Sequence, residues 1–201
     1  YKNPNPDSVV GTDIQNLGDD KEIYRYNFMI KNHRDADDYA PFMNFAKTLS
    51  LSGSALDQAT RPVMDVNEWM RVWALVTLCG VGDSYTFGNN HNLLMYLRPS
   101  DRKMLAFPVD MDFSFTRSAT AALVGDQNIS KVINLTPNLR LFYGHIVDLI
   151  NSTYNSTYMA RWPDHYDNFC PGQNFTGSLS YIQQRGDYAK SVIGAANINN
   201  P

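Results

Sequence analysis

Cysteine is nearly missing from this chain of 201 residues: Cys79 stands in an apolar run and Cys170 in a loop flanked by Pro171 and Gly172. Two thiols are too few for a disulfide scaffold or a zinc site, and these settings predict that they stay unpaired. Missing too is any run of about 18 apolar residues, so no membrane span is expected. The start at Tyr1 has no initiator methionine, basic stretch or apolar leader, and it reads as an excised or processed segment. A net charge of -3 leaves no broad basic surface of the kind that nucleic acid or anionic lipid requires. Also lacking are Gly-x-x-x-x-Gly-Lys, Gly-x-Gly-x-x-Gly, Gly-x-Ser-x-Gly and His-Glu-x-x-His. P-loop nucleotide binding, dinucleotide redox chemistry, nucleophile-elbow esterases and zincin proteases therefore have no support.

What is present suffices for one globular domain, because 43% of the residues are hydrophobic. Residues 1–35 read as a lead-in rich in Asn, Asp, Gly and Pro, with an alternating stretch from Ile23 to Ile30 that suits an edge strand. From Ala36 to Leu51, Tyr39, Phe42, Met43 and Ala46 recur at helical spacing, and Gly53 follows as a stop. Asp65-Val-Asn-Glu68 has the form of a capping box, and it predicts a helix over 67–79 that faces Trp69, Trp73, Val76 and Thr77 inward and ends at Gly80. Leu93–Leu97 and Lys103–Phe107 flank the turn residues Arg98-Pro-Ser-Asp-Arg102 and predict a hairpin. Thr136-Pro137 opens a third helix with Leu139, Phe142, Tyr143, Ile146, Leu149 and Ile150 on one face. A fourth runs from about Ser178 to Ile193, with Leu179, Ile182 and Val192 inward, before a frayed tail over 196–201. The reading is one α+β, mostly α domain over 36–195. Four Asn-x-Ser/Thr sequons, at Asn128, Asn151, Asn155 and Asn174, are compatible with a secreted chain.

The chemistry-bearing stretch runs from Gly82-Asp83 through His91-Asn92 to Val109-Asp110-Met-Asp112. It sets an acid after a helix, an amide at a strand entrance and two acids at a strand exit. An antiparallel hairpin brings Asn92 and Asp110 together, since one starts a strand and the other follows its partner. Phosphoryl transfer needs this donor set: a carboxylate for the attacking hydroxyl and hard oxygen ligands for magnesium. Asp83, Asn92 and Asp110 occur in the order in which protein kinases place their catalytic Asp, their Asn and their metal-binding Asp. The interval from Asp83 to Asn92 is nine positions, against about five in the ordinary kinase loop. His91, His33, His145 and His165 show no paired ligand spacing, and His91 reads as a structural neighbour of the strand.

The strings Asn67-Glu-Trp-Met-Arg-Val-Trp-Ala-Leu75, Gly82-Asp83, His91-Asn92-Leu-Leu-Met-Tyr96 and Phe107-Pro-Val-Asp110-Met-Asp112 resemble the spore-coat CotH kinase family. The Pro137-Asn-Leu-Arg140 and Arg185 helices are similar to that family's C-terminal region, so the likeness covers about residues 36–193. It implies a protein-kinase-like C-lobe in an atypical secreted, spore-coat or cell-surface kinase that transfers phosphoryl from ATP to protein Ser or Thr. It implies Asp83 as the catalytic acid or base and Asp110 as the principal ligand of Mg2+ or Mn2+, with Asn92 assisting; the Asp-x-Asp pattern adds Asp112 as a further candidate ligand. Val109 stands where the family usually has Trp. The family's N-terminal lobe with its phosphate-contacting Lys has no counterpart here, and neither Lys31 nor Lys47 sits in a suitable strand. The expected partners are ATP and a protein acceptor, with weak or no activity for this stretch alone. Two other readings stay open: a non-catalytic surface or adhesion module, and a glycosyltransferase using Asp110-Met-Asp112 on a parallel α/β sheet.

Overall fold

Asp65 accepts a hydrogen bond from the backbone N–H of Glu68 (3.2 Å) and thereby starts the helix that organises the molecule. Counting helices in chain order, these are α1 (Lys21–Asn27), α2 (Ala40–Thr48), α3 (Gly53–Thr60) and α4 (Val66–Cys79), then the strands β1 (Leu93–Leu97) and β2 (Met104–Pro108). The helices α5 (Ile129–Ile133), α6 (Thr136–Ser152), α7 (Ser156–Met159), α8 (Arg161–Asp167) and α9 (Thr176–Ala195) follow. The computed structural model describes residues 12–87, 89–90, 92–170, 172 and 175–196. His91, the Asn174 sequon and most of the tail lie outside the described residues.

Helix α4 is the hub. Its apolar stripe buries Trp69, Met70, Trp73, Ala74, Val76 and Leu78, and α6, β2 and α9 pack around it. A continuous aromatic row crosses the core, from Phe42 and Phe45 of α2 to Trp69 and Trp73 and on to Tyr85. Trp69 and Trp73 lie one turn apart and stack at 5.4 Å, and Trp73 meets Tyr85 edge-on at 5.6 Å. The row ends two residues beyond Asp83, so the loop after α4 rests on a close-packed foundation.

The two strands pair antiparallel, with Leu93 opposite Pro108 and Leu97 opposite Met104. Alternation puts Met104 and Ala106 into the core and leaves Leu94, Tyr96 and Phe107 on the outer face. The outer edge of β2 is occupied by the start of α4. Met104 N–H donates to Val63 O (2.8 Å), Asp65 N–H and the Trp69 indole N–H donate to Met104 O, and Ala106 N–H donates to Glu68 Oε2 (3.0 Å). Glu68 thus does not close the expected capping box. Its carboxylate serves the strand edge instead, and burial raises its pKa. Arg98 pairs with both Asp101 (2.6 Å) and Asp65 (2.9 Å), which ties the hairpin turn to the cap of α4.

The first part of the stretch read as an edge strand, residues 23–27, folds within helix α1, and residues 28–30 leave it without forming a strand. Asp20 accepts from Glu22 N–H at the N-cap, and Glu22 and Arg25 pair along its length. Tyr24 is its one buried side chain, while Ile23 and Tyr26 are exposed, so the apparent alternation does not mark a buried sheet face. Nor is this segment only a lead-in, since Ile14 and Tyr24 are core residues. The expected 36–51 helix is shorter, running over α2 after a separate 3-10 turn at Arg34–Ala36. Among the described residues no helix is long and apolar enough to cross a membrane. Both cysteines are free, and burial pushes the Cys79 thiol up to about 12.

Candidate functional site

Gly80 ends α4 in the left-handed conformation (φ 55°), and it is required there twice over, since a Cβ would lie 1.8 Å from the Tyr181 hydroxyl. The chain then turns through Val81, Gly82 and Asp83 into a 3-10 turn at Tyr85–Phe87. Residues 113–117, which follow the two hairpin acids, lie against this turn. Gly82 N–H donates to Phe113 O (3.0 Å), Phe115 N–H to Cys79 O (2.7 Å), and Arg117 N–H to Gly80 O (3.1 Å). Gly82 permits the approach, because a Cβ there would stand 2.3 Å from Thr116 Oγ1.

The half-buried Asp83 and Asn92 meet at the top of this turn. Asn92 Nδ2 donates to Asp83 Oδ2 at 3.0 Å and to the Asp83 carbonyl at 3.2 Å. With the amide nitrogen engaged on Asp83, Oδ1 is the end left to accept from a ligand or bind a cation. On the neighbouring strand, Leu93 pairs with Pro108, and Asp110 follows two residues beyond that pair. Asn92 (φ 57°), Asp110 (φ 55°) and Phe115 (φ 65°) all adopt left-handed backbone. Asn and Asp tolerate this region; for Phe it is strained. The same conformation occurs at His33, Asp37 and Arg102, so here it marks tight turns of the chain.

The expected set is therefore assembled in part. Asp83 and Asn92 are hydrogen-bonded, whereas Asp110 and Asp112 are exposed; the apolar residues around them, Val109, Met111 and Phe113, had suggested a buried or half-buried pair. Among the described residues no group of three His, Cys, Asp or Glu side chains is gathered for a metal ion. The donors near the hairpin entrance are an amide oxygen and carboxylates, all hard oxygens. Magnesium usually keeps several waters and takes only one or two carboxylates plus substrate phosphates, so this donor chemistry fits that ion.

Three neighbouring features were not visible in the residue pattern. Tyr85 hydroxyl donates to Asp13 Oδ1 and accepts from Ile14 N–H, while Asp13 Oδ2 accepts from Asn128 N–H (2.9 Å), so the early chain locks the turn after Asp83. Burial raises the Tyr85 pKa well above its ordinary value and keeps it a neutral donor. Arg117 stacks on Phe87. Arg185, fully buried, donates to Thr77 O (3.1 and 3.2 Å) and to the carbonyls of Ala119 and Ala121. The resemblance drew attention to its helix, but only its place on the Leu179, Ile182, Ala189 stripe hinted that the side chain faces inward. A shallow, largely apolar depression lined by Trp73, Ser84, Thr86, Leu93, Phe107 and Pro108 adjoins Asn92. No family model matches the chain, and no curated protein gives a significant match to it.

Proposed function

We propose that the chain is the metal-holding lobe of an atypical, secreted or cell-surface phosphotransferase of the CotH kind, in which a protein-kinase-like C-lobe acts on ATP and a protein Ser or Thr. The observation that carries this reading is the contact between Asp83 and Asn92, nine residues apart, at the entrance of the strand whose partner delivers Asp110. Asp83 orients the acceptor hydroxyl and takes its proton as the new O–P bond forms and the bond from the γ-phosphorus to the bridging oxygen breaks, releasing ADP. Asn92 Oδ1, Asp110 and Asp112 are the groups that would hold a divalent ion. Such an ion, when bound, supplies charge neutralisation on the phosphates. Exposure of Asp110 and Asp112 suits this role, because a nucleotide-borne ion reaches them from solvent.

The phosphate-contacting Lys of a second lobe has no assigned equivalent, so these residues alone are expected to turn over slowly or not at all. The glycosyltransferase alternative calls for a parallel α/β sheet, which the antiparallel pair β1–β2 does not supply. Calorimetric titration of ATP with and without Mg2+, beside the Asp110→Ala variant, tests the proposal. Binding that needs both the metal and Asp110 supports it. Metal-independent binding, or no binding at all, contradicts it, and the latter leaves a non-catalytic surface module.

A further inference from the structure

The loop that carries Asp83 has two feet, Gly80 at the end of α4 and Phe87 at the end of the 3-10 turn, and one residue grips both. Arg117 N–H donates to Gly80 O at 3.1 Å. Its guanidinium lies over the Phe87 ring, 4.6 Å from the centroid, and Nη2 donates to the Phe87 carbonyl. A planar guanidinium meets both demands, stacking its face on a ring while donating N–H bonds in its own plane. Arg117 belongs to the same short segment whose Phe113 O and Phe115 N–H bond Gly82 and Cys79, and that segment begins directly after Asp112.

We propose that Arg117 is a positioning residue: by clamping Gly80 to Phe87 it sets the height of the Asp83 turn, and through it the Asp83–Asn92 contact. The inference rests on Asp83 and Asn92 being the working groups proposed above, yet the contact itself can be read without any nucleotide. The hydrogen bonds of Arg117 go to Gly80 and Phe87 and not to Asp83 or Asn92, so its effect runs through the loop. Displacing a reacting group by about 1 Å costs on the order of a hundredfold in rate, so Arg117→Gln lowers kcat by about that factor in an active kinase and leaves KM for ATP nearly unchanged.

The direct test records the two Asn92 Nδ2 protons by 1H–15N NMR in the unliganded chain, assigned by their loss in Asn92→Ala. In the native protein they are widely split and slow to exchange, since one faces the Asp83 carboxylate. Arg117→Gln brings them toward the positions of a free amide while the Trp69 and Trp73 indole signals stay in place. Phe87→Leu, which keeps the carbonyl and removes the stack, shifts them part of the way, and Arg117→Lys recovers only part of the native splitting. If Arg117→Gln unfolds, Phe87→Leu and Arg117→Lys decide alone. Asn92 signals unchanged in folded variants, or moving only together with the core indoles, overturn the proposal. A native chain that shows the split amide but fails to bind Mg-ATP instead sinks the phosphotransferase reading and leaves the clamp intact.

Discussion

Asn92 does two jobs that pull on different parts of the residue. Its side chain bridges to Asp83, and its backbone sits at φ 57°, where Cβ crowds the following carbonyl. The two can be separated. Asn92→Ala and Asn92→Gly both remove the amide, but only glycine relieves the backbone, so the alanine variant should be less stable than the glycine variant by about 1 kcal/mol. Urea unfolding of both measures that difference, and an alanine variant as stable as the glycine one would show that the left-handed turn carries no strain. The pairing of the start of β1 with the end of β2, just after Asn92 and just before the hairpin acids, was legible in the sequence, because Leu93–Leu97 and Lys103–Phe107 flank a short turn. The left-handed backbone was not, since Asn and Asp adopt it only where the surrounding chain imposes it. Arg117 was hidden for a similar reason: Phe-Ser-Phe-Thr-Arg117 carries no periodic signal, and its role exists only once the 113–117 segment lies on the turn after α4.

The two strands were readable from the turn residues between them, whereas among the helices those that bury a wide stripe were readable and those that bury at most two residues were not. Helix α4 shows seven buried positions and α6 four, enough to reveal a 3.6-residue period. Helices α3 and α7 bury two residues and none, and α1 buries Tyr24 alone, so tertiary contacts and caps decide them. Glu68 illustrates how a local signal is redirected. Its spacing from Asp65 is that of a capping box, but the carboxylate bonds Ala106 and holds the edge of β2. Burial, the largest influence, raises its pKa above the ordinary 4.5 and outweighs the Ala106 N–H, which lowers it. The folded state therefore binds this proton more tightly than the unfolded chain does. Stability from this residue is greatest below about pH 4.5 and falls as pH rises through the folded value. Glu68→Gln should remove that fall, so urea midpoints of native and variant proteins should diverge between pH 4 and pH 7 in favour of the variant. A constant offset across this range would contradict the assignment.

For the molecule as a whole, the C-terminal helix is fastened to the hub by a buried cation. Arg185 finds no carboxylate among the described residues and is satisfied by carbonyls from the last turn of α4 and from residues 119–121, with burial lowering its pKa. The negative end of the α4 dipole supplies part of the compensation. Arg185→Leu strands those carbonyls in the interior, and at about 1–3 kcal/mol for each unpaired group the loss should be on the order of 3 kcal/mol or more. A single shifted unfolding transition in calorimetry is expected; early melting of α9 alone, with the rest unchanged, would show that the clamp is local. The overall α+β, helix-rich architecture was readable from four strong segments, whereas the inclusion of Ile14 and Tyr24 in the core was not, because the segment holding them looks like linker in composition.

Function turns on whether the hairpin acids and the Asp83–Asn92 pair attend to one ion. Crystals grown with Mn2+ and a non-hydrolysable ATP analogue, measured at the manganese absorption edge, answer this in a single map. An anomalous peak coordinated by Asn92 Oδ1 and an Asp110 carboxylate oxygen is the expected result. A map with nucleotide and metal bound elsewhere, or with Asn92 and Asp110 turned apart and no peak between them, would contradict it.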